Sequence, residues 1–440
     1  MSTSRYIEIF PDNTPSDGKV SFKNGFPVLS FTISAQEGLL DPQSIRIIGK
    51  LAVYSDNATP NPTPAQAGDK LTMNNRLGIY NVFDQLTIRA HRSKMICEQI
   101  RHYSKWFNTY QALTSSVNDQ VSHLAESALI MPNSELFRTS VVESNGAGTK
   151  INSFSAHLPC GFCQSGNMVD LRAGAFGGVQ VEINLTPDAN ALFFEDGTVP
   201  AGKGEAHYSL TGLKLCCEVH DIPSGTPVSP QGSYQFNTIT SLYTSINSAN
   251  AQIQYSLAIK NLQSAFMSFM PVSHINTLTA DGQATTFPSN LDDSLAAIKR
   301  VQFLKGGVKF PAEFDYVNTY DAVNNPTQLP DPQIVKGLYD ALVPAYHQVR
   351  SSISPMNMNR KYNLTTGEGS NNYNVMPLGG SVMGLGVKYG IGDAGEDFST
   401  EQFGVSVEST LSSDNPVGVY LFFKSKATLL YSQMGTQLLV

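Results

Sequence analysis

The chain has 440 residues, of which 41% are hydrophobic and only 15% are charged. This length exceeds one ordinary β-sandwich and fits two domains of roughly 200 residues, each with enough apolar residues for a core. A net charge of −7 and the lack of a basic N-terminal arm disfavour a protein that condenses nucleic acid. No apolar run predicts a signal peptide or a membrane-spanning helix. The five cysteines form no even framework, which favours a reducing environment.

Alternation of apolar and polar residues predicts strands through most of the first half. These strands span 26–34, 45–54, 79–90, 169–172, 179–185 and 208–222. The clearest is 45–54, and the dipeptide Asp41-Pro42 in front of it predicts a chain reversal. Residues 57–67 contain three prolines and are predicted to project as an exposed loop, because proline cannot join a ladder of hydrogen bonds.

Three stretches show the period of a helix instead. Ile96, Ile100, Tyr103, Phe107 and Tyr110 form one apolar stripe, which predicts a helix over 96–110. A capping-box pattern at Ser116 opens a second helix that Pro132 ends. A third is predicted over 332–349.

Residues 223–232 hold three prolines and two glycines and are the best candidate for a domain boundary. The strand pattern restarts beyond them, and glycine-rich 379–392 is predicted to be a loop. The strands of this half are predicted at 236–246, 253–259, 265–272, 301–310, 314–318, 403–409 and 417–431.

Both halves open with strands, insert a helix and close on a long apolar strand, which indicates two similar sandwiches in tandem. We therefore predict an all-β fold with short helical insertions, built as two tandem eight-stranded jelly rolls, since jelly rolls tolerate long insertions between strands. The predicted domains are a first jelly roll at 1–222, a linker at 223–232 and a second jelly roll at 233–440.

Several motifs resemble double jelly-roll major capsid proteins, and most closely those of virophages and polinton-like viruses of eukaryotic hosts. In the first half the motifs are L-L-D-P-Q-S-I-R-I-I-G-K-L-A-V at 39–53, N-N-R-L-G-I-Y-N-V-F-D-Q-L-T-I at 74–88 and E-Q-I-R-H-Y at 98–103. In the second half they are N-L-Q-S-A-F-M-S-F-M-P at 261–271, F-L-K-G-G-V-K-F-P at 303–311 and V-Y-L-F-F at 419–423.

The resemblance implies a homotrimer whose six jelly rolls form a pseudo-hexameric capsomer of an icosahedral shell around double-stranded DNA. It implies a virion location and partners that are further copies of the chain, together with penton and minor capsid proteins. No specific recognition of nucleic acid is expected, and an internal membrane is left open. The proline- and asparagine-rich segments 55–68 and 318–332 suit subunit contacts or the outer face.

Candidates for chemistry are weak. Cys160 and Cys163 resemble half of a zinc deaminase signature, but His123 and Glu126 are one residue too far apart for the other half. A structural zinc on His157, Cys160 and Cys163 lacks a fourth ligand, so buried free cysteines are the preferred interpretation.

Two glycine-rich segments and two carboxylate pairs are similarly incomplete. Residues 197–204 nearly spell a phosphate-binding loop, but Gly204 replaces the hydroxyl residue and a strand follows at Tyr208. Gly384 and Gly386 do not complete a dinucleotide fingerprint. The pairs Asp292-Asp293 and Glu396-Asp397 lie in loop-like sequence with nothing to space them across a cleft.

The densest basic cluster is interpreted as a solvated helix face, with contact to nucleic acid or anionic lipid as the alternative. It consists of Arg89, His91, Arg92, Lys94, Arg101 and Lys105. Trp106 beside it is assigned to a core or a subunit contact. No catalytic, cofactor-binding or metal-binding residue is predicted, and the chain is expected not to be an enzyme. The alternative function is a tandem β-sandwich that binds or hydrolyses carbohydrate.

Overall fold

The structure, a computed structural model, describes residues 3–440 apart from several gaps. These gaps are residues 16, 24, 59–60, 76, 115–125, 132–133, 147, 175, 195–198, 229–230, 279–297, 313–315, 318–383, 391–393, 410–412, 414–415 and 433–434. The helices predicted from Ser116 to Pro132 and over 332–349 fall largely or wholly on these gaps, as do His123 and Asp292-Asp293.

Strands make up most of the described chain, and all of their pairings within sheets are antiparallel. Those before residue 221 are β1 (Ser4–Ile9), β2 (Lys19–Val20), β3 (Val28–Ser34), β4 (Leu39–Tyr54), β5 (Leu71–Met73), β6 (Phe83–Ala90), β7 (Ile96–Arg101), β8 (Ile151–His157), β9 (Val169–Asp170), β10 (Gly178–Leu185), β11 (Leu192–Phe194) and β12 (His207–His220). Those that follow are β13 (Gln231–Ile246), β14 (Asn250–Tyr255), β15 (Leu262–Pro271), β16 (Ile298–Lys305), β17 (Val308–Lys309), β18 (Tyr316–Val317), β19 (Gly384–Lys388), β20 (Phe403–Ser409), β21 (Val417–Ser432) and β22 (Thr436–Leu439).

The helices of the described residues are short and lie between strands. They are α1 (Tyr103–Thr114), α2 (Ser134–Phe137) and α3 (Asp188–Ala191), with a π-helical turn at Arg138–Val142 and 3-10 turns at Ala35–Glu37, Ala67–Asp69, Gly78–Val82 and Val272–His274. Within the described parts of the chain, no helix is long and apolar enough to cross a membrane.

The two halves of the chain have the same strand order. In the first half the two main sheets run β1-β12-β4-β8 and β3-β10-β6-β7, and in the second they run β13-β21-β15-β19 and β14-β20-β16-β17. Each half thus has eight main strands, four in each of its two sheets. When these eight are numbered in chain order, the strand order in both halves is 1-8-3-6 in one sheet and 2-7-4-5 in the other. This is the eight-stranded jelly roll, present twice, and it confirms the predicted fold class.

Inward-facing apolar residues of each sheet pair form the cores. In the first jelly roll the core includes Phe31, Ile47 and Val181, and in the second it includes Phe303 and Val405. The predicted alternation in β4 is confirmed, since Ile45, Ile47, Gly49, Leu51 and Val53 are buried while Lys50 is exposed. β12 ends at His220 and β13 begins at Gln231, so the proline-rich segment lies between the two sets of sheets.

The predicted reversal at Asp41-Pro42 is wrong, because both residues lie inside β4. Asp41 is paired with Glu218 and Arg46 with Cys216, so four residues of β4 face a single residue of β12. Pro42 therefore sits in a bulge, where the missing N–H of proline breaks no ladder bond. The loop at 57–67 also folds back onto the sheet, since Pro64 bridges to Tyr54 and Ala65 is buried.

The helix predicted over 96–110 is wrong in its first part. Residues 96–101 form β7, which pairs with β6, and only from Tyr103 does the chain become α1. His102, with φ of 55°, turns the chain between them. Pairing with β6 decides the conformation, because Ile96 and Ile100 fit a strand face as well as a helix stripe.

Two further expectations change in detail. Residues 78–82 form a 3-10 turn, so the strand predicted over 79–90 begins at Phe83. The predicted loop at 379–392 contains β19, whose glycine-rich backbone pairs with β15. Hydrogen bonding to a neighbouring strand outweighs the weak strand preference of glycine there.

Candidate assembly surfaces

The sheet β13-β21-β15-β19 of the second jelly roll is covered on both faces. One face carries Val419, Leu421 and Phe423 into the core of its own jelly roll. The other face carries Tyr420 and Phe422 into the core cluster of the first jelly roll. Residues 417–423 are apolar without alternation because both faces are buried, a pattern otherwise typical of parallel sheets.

Glu98 on β7 joins the two jelly rolls. Its Oε2 accepts a hydrogen bond from the backbone N–H of Phe162 at 2.7 Å. Its Oε1 accepts from the N–H of Gly161 at 3.2 Å and, in the second jelly roll, from the N–H of Ile239 at 2.9 Å. The hydroxyl of Thr238 donates to the same oxygen at 3.3 Å. One buried carboxylate thus satisfies four donors from two segments, one in each jelly roll, which offsets part of the cost of burying it.

Burial raises the pKa of Glu98, and the backbone hydrogen bonds from Phe162 and Ile239 oppose that rise. The backbone of the second jelly roll comes very close beside it. A Cβ added to Gly161 would lie 1.5 Å from the carbonyl oxygen of Asn237, a distance that no pair of non-bonded atoms tolerates. Glycine is required at 161 because the two jelly rolls touch there backbone to backbone.

A second set of contacts lies around His102. The backbone N–H of Arg101 donates to the hydroxyl of Ser241 at 2.8 Å, and the His102 ring packs against Tyr243 and Tyr420. Burial lowers the pKa of His102, and the nearby Asp84 carboxylate opposes that effect. Lys105 is also buried, and burial lowers its pKa to about 8.

A groove of 570 Å³ opens beside this junction. It is lined by Trp106, Tyr110, Gly161, Gln164, Ser165, Asn167, Gln235, Phe236, Asn237, Ile239, Gln263, Lys424 and Lys426. The side-chain amide of Gln164 donates to the hydroxyl of Tyr110 at 2.5 Å. No carboxylate is among these lining residues, so the described groove lacks the acid and base of a glycosidase site.

The matching sheet of the first jelly roll, β1-β12-β4-β8, has an open outer face. Tyr6 and Phe10 project from this face and are each 67% exposed. Lys214 lies 5.2 Å from the centre of the Phe10 ring and 2.5 Å from a carboxylate oxygen of Glu8. The surface therefore combines large exposed rings with charges that hold them in place.

The cysteines are free and buried, as predicted. Burial raises the pKa of the Cys160 thiol well above its usual value, which favours the protonated form. In the described residues no group of three or more His, Cys, Asp or Glu side chains could hold a metal ion.

The described residues of the glycine-rich and acidic candidates make contacts with other parts of the fold. Tyr208 is in β12, so a strand follows the predicted loop as expected, and Lys203 donates to Ser55 at 2.7 Å. Glu396 pairs with Lys305 at 2.6 Å, and Asp397 accepts from the N–H of Ser399 at 2.7 Å.

The basic cluster is not a solvated helix face. Arg89 on β6 pairs with Glu182 at 2.8 Å, Arg92 donates to the carbonyl of Gly174 at 2.9 Å, and Lys105 is buried in α1. The cluster is spread over two strands, a turn and a helix. Trp106 is buried, in agreement with the core assignment.

Glu98, which joins the two halves, was missed as a functional residue. It belongs to the quoted segment 98–103, but a lone glutamate between Cys97 and Gln99 gives no signal of burial. Gly161 gives no signal either, because in the sequence it is only a spacer between Cys160 and Cys163.

No family model and no curated protein sequence matches the chain. Solved structures do match over its whole length. A crystal structure of PBCV-1 VP54, fitted into a reconstruction of the virophage Sputnik, has a TM-score of 0.57 at 10% identity and covers 100% of this chain and 97% of that chain. A structure of the Sputnik virophage has a TM-score of 0.53 at 11% identity and covers 100% of this chain and 88% of that chain. The Faustovirus major capsid protein has a TM-score of 0.52 at 10% identity, and the match covers 98% of this chain and 91% of that chain.

The chain has the double jelly-roll fold of viral major capsid proteins. Identities of 10–11% establish likeness of fold only. The suspected resemblance to double jelly-roll capsid proteins is confirmed at the level of the fold, and the duplicated strand order extends over both halves of the match.

Proposed function

We propose that this protein is a structural major capsid protein. Three copies form a pseudo-hexameric capsomer, and the capsomers tile an icosahedral shell around a double-stranded DNA genome. The observation that supports this most directly is the identical strand order of two jelly rolls in one chain. A duplicated unit lets a three-fold trimer present six similar edges, which suits packing in a hexagonal array.

The domain limits that follow are a first jelly roll at 1–222, a linker at 223–232 whose last residues already belong to β13, and a second jelly roll at 233–440. The partners are other copies of the chain within and between capsomers, with penton and minor capsid proteins at the remaining positions. The location is the virion. No sequence-specific contact with nucleic acid is part of this role.

We propose a structural role and not an enzymatic one. The carbohydrate alternative requires paired carboxylates and aromatic side chains around one groove. The described lining of the junction groove includes Trp106 and Tyr110 but no acid. No observation on the described residues favours that alternative.

The test is the assembly state of the purified full-length protein. We expect sedimentation velocity to give a trimer and negative-stain electron microscopy to show particles of hexagonal outline. Compact monomers at every concentration would contradict the proposal. Release of sugar from a panel of polysaccharides, with a monomeric state, would favour the carbohydrate alternative instead.

A further inference from the structure

The contact between the two jelly rolls joins two defined surfaces. The first jelly roll contributes its fifth main strand, β7, with the segment around Gly161. The second contributes its 1-8-3-6 sheet, on whose outer face Ser241 and Tyr243 of β13 meet Arg101 and His102. Within one chain, the fifth strand of the first jelly roll therefore packs against the outer face of the 1-8-3-6 sheet of the second jelly roll.

The same two kinds of surface remain uncovered at the opposite ends of the chain. The outer face of the first jelly roll's 1-8-3-6 sheet carries Tyr6 on β1, the strand that corresponds to β13, and Phe10 directly after it. The fifth strand of the second jelly roll is β17, which corresponds to β7 and carries Val308, 70% exposed. Among the described residues, Val308, Tyr6 and Phe10 are the three most exposed large hydrophobic side chains.

Isolated exposed apolar side chains are ordinary on a protein surface, but their positions here are matched. Tyr6 and Phe10 lie on the sheet face of the first jelly roll that is equivalent, by strand order, to the face that the second jelly roll uses in the contact within the chain. Val308 lies on the strand of the second jelly roll that is equivalent to the strand β7 that the first jelly roll uses there. The rings of Tyr6 and Phe10 are also preorganised, since Lys214 lies over Phe10 and Arg46 lies 5.9 Å from the centre of the Tyr6 ring. A ring already held in place loses little side-chain entropy when a partner covers it.

We propose that the β1 face, defined by Tyr6, Glu8 and Phe10, is covered by the β17 edge of a second copy of this chain. The contact is heterologous, because two different surfaces of the same chain meet. This contact between chains repeats the contact that joins the two jelly rolls within one chain. When each chain makes it with the next, three copies with six jelly rolls close into a ring. This inference rests on the proposed capsid function and adds the surfaces that close the capsomer.

Cysteine cross-linking tests the contact directly. The variant Phe10→Cys with Val308→Cys places one thiol on each surface, while the five native cysteines are buried and shielded from reagent. With a short bis-maleimide we expect covalent dimers and trimers of the double variant on a denaturing gel. Each single variant serves as the matched control and should remain monomeric on the gel.

Serine substitutions test the energetic role of the rings. We expect Tyr6→Ser with Phe10→Ser to raise the concentration at which the oligomer dissociates by roughly 10- to 1000-fold, as for buried aromatic anchors of an interface. Leu136→Ser is the control, since Leu136 is 54% exposed but lies on α2, which belongs to neither surface. Unchanged thermal unfolding would show that the variants remain folded.

The outcomes separate the two proposals. A wild-type trimer that gives no cross-link in the double variant and survives the serine substitutions would overturn the β1–β17 contact while leaving the capsid function intact. A wild-type monomer at all concentrations would overturn both. A trimer that is cross-linked in the double variant and dissociates in the serine variant supports the contact.

Discussion

The two jelly rolls have one topology but bury their 1-8-3-6 sheets differently. In the second, β13-β21-β15-β19 has its own core on one face and the first jelly roll on the other. In the first, the equivalent sheet β1-β12-β4-β8 has a core on one face only, and its outer face carries Tyr6, Glu8 and Lys214. The difference shows that the residue types on the outer face of a jelly-roll sheet depend on whether the sheet belongs to the first or the second jelly roll, and not on its topology.

The third main strand shows this most directly. In β15 the outer-face residue Phe266 is buried and stacks on Phe422 with ring centres 5.3 Å apart. In β4 the outer-face residue Ile48 is half-buried and faces Lys214 on the neighbouring strand. A sheet with two covered faces can be apolar throughout, whereas a sheet with one covered face must alternate.

The largest effect is expected where the two jelly rolls touch backbone to backbone. Gly161→Val places a side chain into the carbonyl of Asn237, so we expect the free energy of unfolding to fall by more than about 4 kcal/mol. This loss of unfolding free energy is measured by urea unfolding followed by the fluorescence of Trp106. Trp106 is the chain's single tryptophan and lines the groove beside the junction. Gly68→Ala is the control, because nothing lies within 4 Å of its added Cβ. A loss below 1 kcal/mol would contradict this close contact.

The next effect compares equivalent positions in the two sheets. We expect Phe266→Ala to cost about 3–5 kcal/mol, because it leaves a cavity between two covered layers. We expect Ile48→Ala to cost about 1 kcal/mol, because its side chain is half-buried on an open face. Both are measured by urea unfolding. Equal costs would mean that the outer face of the second sheet is not covered as described.

A smaller loss is expected for Glu98→Gln. The amide group of glutamine turns a donor toward backbone donors, so at least one of the N–H groups of Gly161, Phe162 and Ile239 loses its acceptor. A buried donor without a partner costs about 1–3 kcal/mol. Glu182→Gln, which weakens only the partly exposed pair with Arg89, is the matched control and should cost less than about 1 kcal/mol. Equal losses in the two variants would mean that Glu98 does not join the jelly rolls.

The fourth prediction concerns pH. Burial lowers the pKa of Lys105 from 10.5 to about 8, so between these values the unfolded chain binds more protons than the folded one. Stability from this group therefore rises with pH across that window and is lost as pH falls through 8. We expect the difference between wild type and Lys105→Met to change by about 2 kcal/mol from pH 8 to pH 10. The same difference should stay constant below about pH 7, where Lys105 is protonated in both the folded and the unfolded chain.

Much of the fold was predictable because strand alternation is a local property. The strand predicted over 403–409 is confirmed at both ends, and those over 179–185 and 417–431 are confirmed within one residue at each end. The errors occur where a neighbouring strand decides the conformation. Residues 96–101 fit helix or strand until β6 pairs with them, and the glycines of β19 form a strand only against β15.

The junction was not predictable at the level of residues. Glu98 lies between Cys97 and Gln99 with no charged neighbour in sequence, and its donors come from residues 63 to 141 positions away. Gly161 lies in a turn but has no positive φ that would require glycine, and its constraint is the backbone of Asn237. Contacts over such separations leave no periodic signal in the chain.

From the sequence alone came the class of fold, the number of jelly rolls and the absence of a local catalytic motif, since alternation, proline and spacing act between near neighbours. Only the tertiary structure decided that one sheet is covered on both faces, that Glu98 and Gly161 hold the halves together, and that Tyr6, Phe10 and Val308 stay uncovered. Burial depends on what packs against a residue from elsewhere in the chain, and for that reason its consequences appear only in three dimensions.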